Sequence, residues 1–172
     1  TILGWTGSFS GLEYLHTLDN ALREVAKQRK IELLVIFNIT DRQFELSGVD
    51  VENIPWREVT EVESLQRIEI GLYPLIKGEW GLGKSGLKAL QYMALGIPVV
   101  ATAFGANLRV MEDGVSGFLV DNHRQWVDTI IKLIDEPDLR NKIGLAGRKR
   151  VEKYFSLEAN RDKYLNIFRG VY

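Results

Sequence analysis

The chain contains no cysteine. Disulfides, thiolate metal sites and cysteine nucleophiles are therefore excluded, and a reducing, cytoplasmic setting is the expectation. Histidine is scarce too. His16 and His123 stand far apart, with no ligand spacing to each other or to a carboxylate, and read as surface or helix residues. Asp50 and Glu52 form a D-x-E that is too sparse for a metal site. Long hydrophobic runs are missing: the longest, Leu33 to Phe37, is far too short to cross a bilayer. Neither sign of charge dominates. A net charge of −1 does not advertise nucleic acid or an anionic membrane as a partner. No signal peptide, internal repeat or low-complexity segment is visible.

What is present is ordinary globular sequence. With 172 residues, 45% of them apolar, the chain suits one domain that buries roughly 70% of its unfolded surface. It begins at Thr1, and Ile2-Leu3-Gly4-Trp5 already reads as a buried strand. The expectation is a longer protein with further sequence upstream.

One stretch organises the rest. Gly78-Glu79-Trp80-Gly81-Leu82-Gly83-Lys84-Ser85-Gly86 reads as a glycine-rich loop. A helix from Leu87 follows, stopped by Gly96 and Pro98, and then a strand from Val99. Leu87, Leu90, Met93 and Ala94 keep the spacing of one buried helix face. A loop of free backbone N–H groups that empties into a helix N-terminus is a ready anion site. The stretch therefore points to a phosphate-bearing ligand.

Before it, the chain alternates. Ser10 and Glu13 form a capping box for a helix carrying Leu12, Leu15, Leu18, Leu22 and Val25. Ile31 to Phe37 is continuously apolar, as a strand buried on both faces would be. Asn38 to Val49 reads as loop. Val51 to Trp56, interrupted by Pro55, reads as a third strand, with the proline marking an edge or a strand end. Thr60 and Glu63 suggest a second capping box, and Ile70 to Leu75 a fourth strand. After Val99 to Thr102 come one helical turn at Leu108 to Met111, a turn between Gly114 and Gly117, and a short strand Phe118 to Val120. Residues 121–172 then read as helices only, broken at Pro137 and recapped at Ser156.

Alternating strands and helices over residues 1–120 predict an α/β fold: a doubly wound, Rossmann-like parallel sheet with C-terminal helices. Ligands of such sheets lie at the carboxyl ends of the strands. This would bring Thr6 to Ser10 together with Lys77 to Gly86.

Individual candidates have two readings each. Lys84 is either a point charge for a diphosphate or a solvated loop lysine. Ser85 either contacts phosphate or caps the helix, the cap being the better reading for it alone. Gly7 and Ser8 form a second anion loop, but Gly4, Gly7 and Gly11 do not make a dinucleotide fingerprint. Glu79 and Gln91 either bind hydroxyls or stand as ordinary surface residues. Trp5, Trp80 and Trp126 default to core, and Trp56 is the tryptophan placed to stack on a base. Gly78 and Gly83-Lys84-Ser85 formally match a P-loop. A triphosphatase is rejected because the loop follows the fourth strand and no strand ending in Asp offers a magnesium partner.

The order of these pieces resembles the C-terminal, nucleotide-sugar-binding domain of GT-B glycosyltransferases, specifically family 4, the group 1 transferases. Gln91-Tyr92-Met93-Ala94-Leu95-Gly96-Ile97-Pro98-Val99-Val100-Ala101 is similar to the family's E-A-M-A-x-G-x-P-V-V-A. Ile70 to Leu75 looks like its preceding strand, and Glu112 to Val120 like its following turn and strand. Arg140 to Ser156 looks like its closing helices. The departures fall in the donor site. The family's E-x7-E pair falls at Gly83 and Gln91, and its diphosphate-binding Arg and Lys fall at Ser8 and Glu13.

The resemblance implies transfer of a glycosyl group from a nucleoside diphosphate to an acceptor hydroxyl, with retention and without metal or other cofactor. Carried onto this sequence, with replacements for the missing family residues, the expected donor site is Gly7, Ser8, Trp56, Arg57, Glu79, Gly83, Ser85, Gly86, Leu87 and Gln91. Lys84 would act on the departing diphosphate, with the amides of Lys84 to Leu87 facing it. Gln91 would bind ribose, the backbone at Trp56 and Arg57 would read the base, and Glu79 would replace the lost sugar contact. The implied partners are the nucleotide-sugar donor and an upstream acceptor domain, through which the protein could touch a membrane. A catalytically degenerate binding or regulatory domain of the same fold, and an unrelated nucleotide-binding Rossmann enzyme, are the competing readings.

Overall fold

The computed structural model describes residues 1–38 and 43–170. Part of the expected loop after Asn38 lies outside the described residues. Six strands form one parallel sheet: β1 (Ile2–Gly7), β2 (Glu32–Phe37), β3 (Asp50–Pro55), β4 (Ile70–Tyr73), β5 (Val99–Thr102) and β6 (Phe118–Val120). Their order across the sheet is β3-β2-β1-β4-β5-β6. β3 sits at an edge, as Pro55 requires of a residue with no N–H to donate.

Side chains alternate across the sheet, as the period of two demands. Leu33, Val35 and Phe37 join one buried cluster, and Leu34 and Ile36 join the other. The first cluster is covered by α1 (Leu12–His16), α2 (Asp19–Gln28) and α7 (His123–Asp135). The second is covered by α3 (Glu61–Gln66) and α5 (Leu87–Ala94). α8 (Pro137–Tyr154) packs outside α5, and α9 (Leu157–Arg169) follows it. The turns α4 (Glu79–Leu82) and α6 (Asn107–Val110) complete the helices.

Several local expectations differ from the structure. The single helix expected after Ser10 is two, α1 and α2, broken at Thr17 and Leu18. The Thr17 hydroxyl donates to the Tyr14 carbonyl at 2.5 Å, taking a carbonyl the helix would have used. Neither capping box forms. Ser10 lies in a 3-10 turn with its hydroxyl 3.0 Å from that of Ser8, and Thr60 makes no cap bond. The buried stripe of α5 is Ala89, Tyr92 and Met93; Leu87 and Ala94 are exposed. Ser85 does not cap α5, because Gly86, at φ +80°, occupies the N-cap. Ser156 does cap α9, accepting from the Ala159 N–H at 3.1 Å.

Candidate active site

The site is created by a parting of strands. β1 pairs with β2 along its whole length but with β4 only through Leu3 and Gly4. The chain leaves β1 towards β2 on one side and leaves β4 towards β5 on the other, so a crevice opens between their carboxyl ends. Such switch points are where open α/β sheets take ligands.

The parting leaves the Thr6 N–H without a partner on β4, and a side chain supplies one. The Tyr92 hydroxyl of α5 accepts from Thr6 N at 2.9 Å and approaches the Gly4 carbonyl at 3.4 Å. Tyr92 is fully buried, and burial pushes its phenol above the usual range, so it stays protonated. Its ring fits because residue 71 has no side chain: a Cβ on Gly71 would lie 2.7 Å from the ring. This link sets how α5 sits against the end of β1.

Two cations project from that helix and its approach. Lys84 Nζ lies 5.4 Å from the ring centres of both Tyr14 and Trp80. Lys88 Nζ lies 5.7 Å from those of both Trp5 and Tyr73. Among the described residues, neither lysine has a carboxylate within ion-pair distance. Burial first, and then the charge of Lys84, lowers the Lys88 ammonium below the ordinary lysine range. Ring faces hold a cation in place without neutralising it. Both lysines therefore remain available to an anion. A Cβ at Gly7 would stand 2.4 Å from the Trp5 ring and 3.1 Å from Lys88 Cε, so the absent side chain lets the lysine stem lie along β1.

Two cavities meet at these lysines. The inner one, of about 260 Å³, is walled by Trp5, Tyr14, Tyr73 and Trp80, with Ser10 and Glu13 at its polar edge. The outer one, of about 540 Å³, is lined by Gly7, Asn38, Trp56, Glu61, Leu87 and Gln91, among others. Ser8, Tyr73, Lys84 and Lys88 border both. The outer cavity alone lies within the roughly 300–1,000 Å³ of small-molecule sites. Glu61 organises its outer wall: Oε1 accepts from Trp56 Nε1 at 3.0 Å and from Gln91 Nε2 at 3.1 Å. Among the described residues, no cluster of three or more His, Asp or Glu could hold a metal ion.

The structure brings Gly7, Ser8, Trp56, Lys84, Ser85, Leu87 and Gln91 to this one place. Glu79 and Gly83 instead flank a separate surface hollow beside Trp80 and Lys84. Arg57 caps an exposed 3-10 turn, and Gly86 is buried against Val110. Trp80 is not core but 76% exposed, because α4 sits at the rim of the crevice. The Lys84 amide is spent on the Gly81 carbonyl at 3.3 Å and does not face a ligand. Leu87, Lys88 and Ala89, in the first turn of α5, keep the unpaired amides that every helix start has.

Sequence reasoning overlooked Lys88, Glu61 and the pair Tyr73 and Tyr92. Lys88 had one signal, its place in the first turn of the helix that follows the glycine-rich stretch; its four-residue spacing from Lys84 is not a helical one, because Lys84 precedes the Gly86 cap. Glu61 had none, since its partners lie five and thirty residues away.

Comparison with known proteins agrees with this architecture. Residues 1–136 match the family model described as glycosyl transferases group 1. A D-inositol 3-phosphate glycosyltransferase of Nocardioides sp. is 36% identical over 86 residues, covering 49% of this chain and 19% of that protein. The chain thus spans about a fifth of that relative's length. The C-terminal domain of a group 1 family glycosyl transferase, LpcC from Francisella tularensis, superposes with a TM-score of 0.68 at 22% identity. That match covers 91% of this chain and 86% of the other. HepE of Anabaena, solved in complex with UDP and glucose, gives 0.76 at 15% identity, over 98% of this chain and 48% of its own. The strand order, the crevice between β1 and β4 and the family match converge: the chain belongs to the group 1 glycosyltransferase family and has the fold of a GT-B C-terminal domain.

Proposed function

We propose that this chain is the donor-binding half of a retaining glycosyltransferase that uses a nucleoside-diphosphate sugar and needs no metal. The observation that carries this reading is the meeting of two cavities at Lys84, Lys88 and Ser8. The nucleoside would occupy the outer cavity against Trp56, the diphosphate would lie at the shared lysines, and the sugar would enter the aromatic inner cavity. The UDP and glucose held by HepE on a similar backbone support the choice of ligand.

The chemistry then follows from charge. The bond between the anomeric carbon and the diphosphate oxygen breaks, and the acceptor oxygen bonds to that carbon on the same face. The acceptor's proton ends on the diphosphate. Negative charge grows on the leaving group, and groups already aimed at it lower the barrier most. Lys84 and Lys88 supply that charge, helped by the first-turn amides and dipole of α5. An upstream acceptor domain, outside residues 1–172, would bring the acceptor to the inner cavity. The chain alone should therefore bind donor without turnover.

Calorimetric titration with UDP, GDP, ADP and pyrophosphate tests the proposal. Binding of at least one nucleoside diphosphate is expected. No detectable binding of any would favour the degenerate domain. That alternative draws on Gly83 and Gln91, where the family has its acidic pair, Gly83 lying outside both cavities.

A further inference from the structure

We infer that Glu61 recognises the ribose of the bound nucleotide through its 2′,3′-diol and makes the site selective for ribonucleotides. The inference rests on reading the outer cavity as a nucleotide site. It starts from an asymmetry in one carboxylate. Oε1 of Glu61 receives N–H bonds from both Trp56 and Gln91, at 3.0 and 3.1 Å. Among the described residues, Oε2 has no hydrogen-bond partner, and no cation pairs with the group. Glu61 is half-buried and lines the outer cavity.

Two donors from different elements, β3's end and α5, fix the plane of this carboxylate before any ligand arrives. Its remaining lone pairs can only accept. A phosphate or a second carboxylate is thereby refused at this wall. A neutral group offering O–H donors is favoured, and a vicinal diol offers two at once.

Placement along α5 supplies the rest of the argument. Gln91, which holds Glu61, follows Lys88 by three residues, so the two lie on one helix face about 4.5 Å apart along the axis. Lys88 borders the inner cavity, whereas Glu61, Gln91 and Trp56 line the outer one only. The order of ring, acceptor and cation is the order of base, ribose and phosphate in a nucleotide. Gln91 is the weaker partner for a diol, because one of its N–H groups is engaged by Glu61 and its free oxygen is a neutral acceptor rather than a charged one. The carboxylate that the resemblance places at residue 91 is here delivered from α3.

The test compares UDP, GDP and ADP with their 2′-deoxy and 2′,3′-dideoxy forms, with pyrophosphate as the arm lacking ribose. For the nucleotide that binds, the ribose form should bind at least roughly tenfold tighter than the dideoxy form, as loss of bonds to a charged group predicts. Glu61→Gln keeps an oxygen for Trp56 and Gln91 but replaces the second acceptor with a donor. In this variant the ribose preference should fall towards parity while pyrophosphate affinity stays unchanged. Equal affinity of the wild type for ribose and dideoxy forms overturns the inference. So does Glu61→Gln weakening both forms alike with the preference intact, which marks a purely structural carboxylate. Pyrophosphate binding without any nucleoside diphosphate binding overturns the nucleotide reading itself, and the inference with it. If Glu61→Gln does not fold, Glu61→Asp, which keeps the charge but draws it back from the cavity, takes its place with the same expected loss of ribose preference.

Discussion

The wall that follows β1 offers Gly7, Ser8, Ser10 and Glu13 to the crevice, while the wall that follows β4 offers Lys84, Ser85 and Lys88. One wall has hydroxyls, backbone and a negative charge; the other has both cations. The resemblance would place an Arg and a Lys on the first wall, at residues 8 and 13, so the positive charge stands on the opposite side of the crevice. The two lysines of the cationic wall also lie against aromatic rings. A lysine loses up to about 2 kcal/mol of side-chain entropy when it is immobilised. Lys84 and Lys88 meet part of that cost before a ligand arrives, each being held by two aromatic rings. The difference places the positive charge of the crevice on the wall that follows β4 and not on the wall that follows β1.

The comparison can be broken in three ways. The largest effect is expected from Lys88→Ala, which should weaken pyrophosphate and nucleoside diphosphate roughly tenfold or more by titration. Lys84→Ala should cost less, and the reverse order would move the principal cation to the rim. The affinity of the wild type should also fall on the alkaline side. An anion prefers charged Lys88, whose lowered value means the charge is lost as pH rises through a point below the ordinary lysine range. That alkaline limb should disappear in Lys88→Ala; its survival there would assign it to another group.

Next comes the strut between the walls. Tyr92→Phe leaves the buried Thr6 N–H unpaired and should cost about 1–3 kcal/mol in denaturant unfolding. An unchanged midpoint would mean that another acceptor serves β1. The smallest effect is expected from Glu13→Lys, which returns a cation to the first wall. Pyrophosphate affinity should rise by about 0.2–1 kcal/mol, the scale of a partly screened charge. No gain would show that the first wall no longer faces the anion.

Local chemistry was legible wherever one element decided it. Leu33 to Phe37 announced a strand buried on both faces, and it lies second in the sheet with both neighbours parallel. Pro55 announced an edge, and Ser156 announced a cap. Local signals failed where a competing bond won. The Ser10 hydroxyl turned to Ser8, and Thr17 took a carbonyl that a continuous helix would have needed. Trp80 failed as a core residue because hydrophobicity alone does not say which side of a rim a four-residue turn presents.

The candidate site was legible as two loops and hidden as a set of side chains. That Thr6 to Ser10 and Lys77 to Gly86 would meet followed from the rule that strand ends in a parallel sheet share one edge. That Lys88 rather than a loop residue would stand between Trp5 and Tyr73 did not follow, since those rings lie on β1 and β4 and come together only across the switch point. Glu61 was hidden for the same reason, its partners coming from the end of β3 and from α5.

By itself, the sequence determined the alternation of strands and helices, the absence of thiol chemistry and the glycine-rich, lysine-bearing character of the stretch after β4. Those properties depend on residue type and short-range spacing, which local sterics and burial convert directly into structure. Tertiary structure decided that Lys88 joins Lys84 at the crevice, which carboxylate closes its outer wall, and that Tyr92 braces one strand from a helix behind another. Those choices depend on the strand order β2-β1-β4 and on the room left at Gly71, and neither is contained in any local window of the chain.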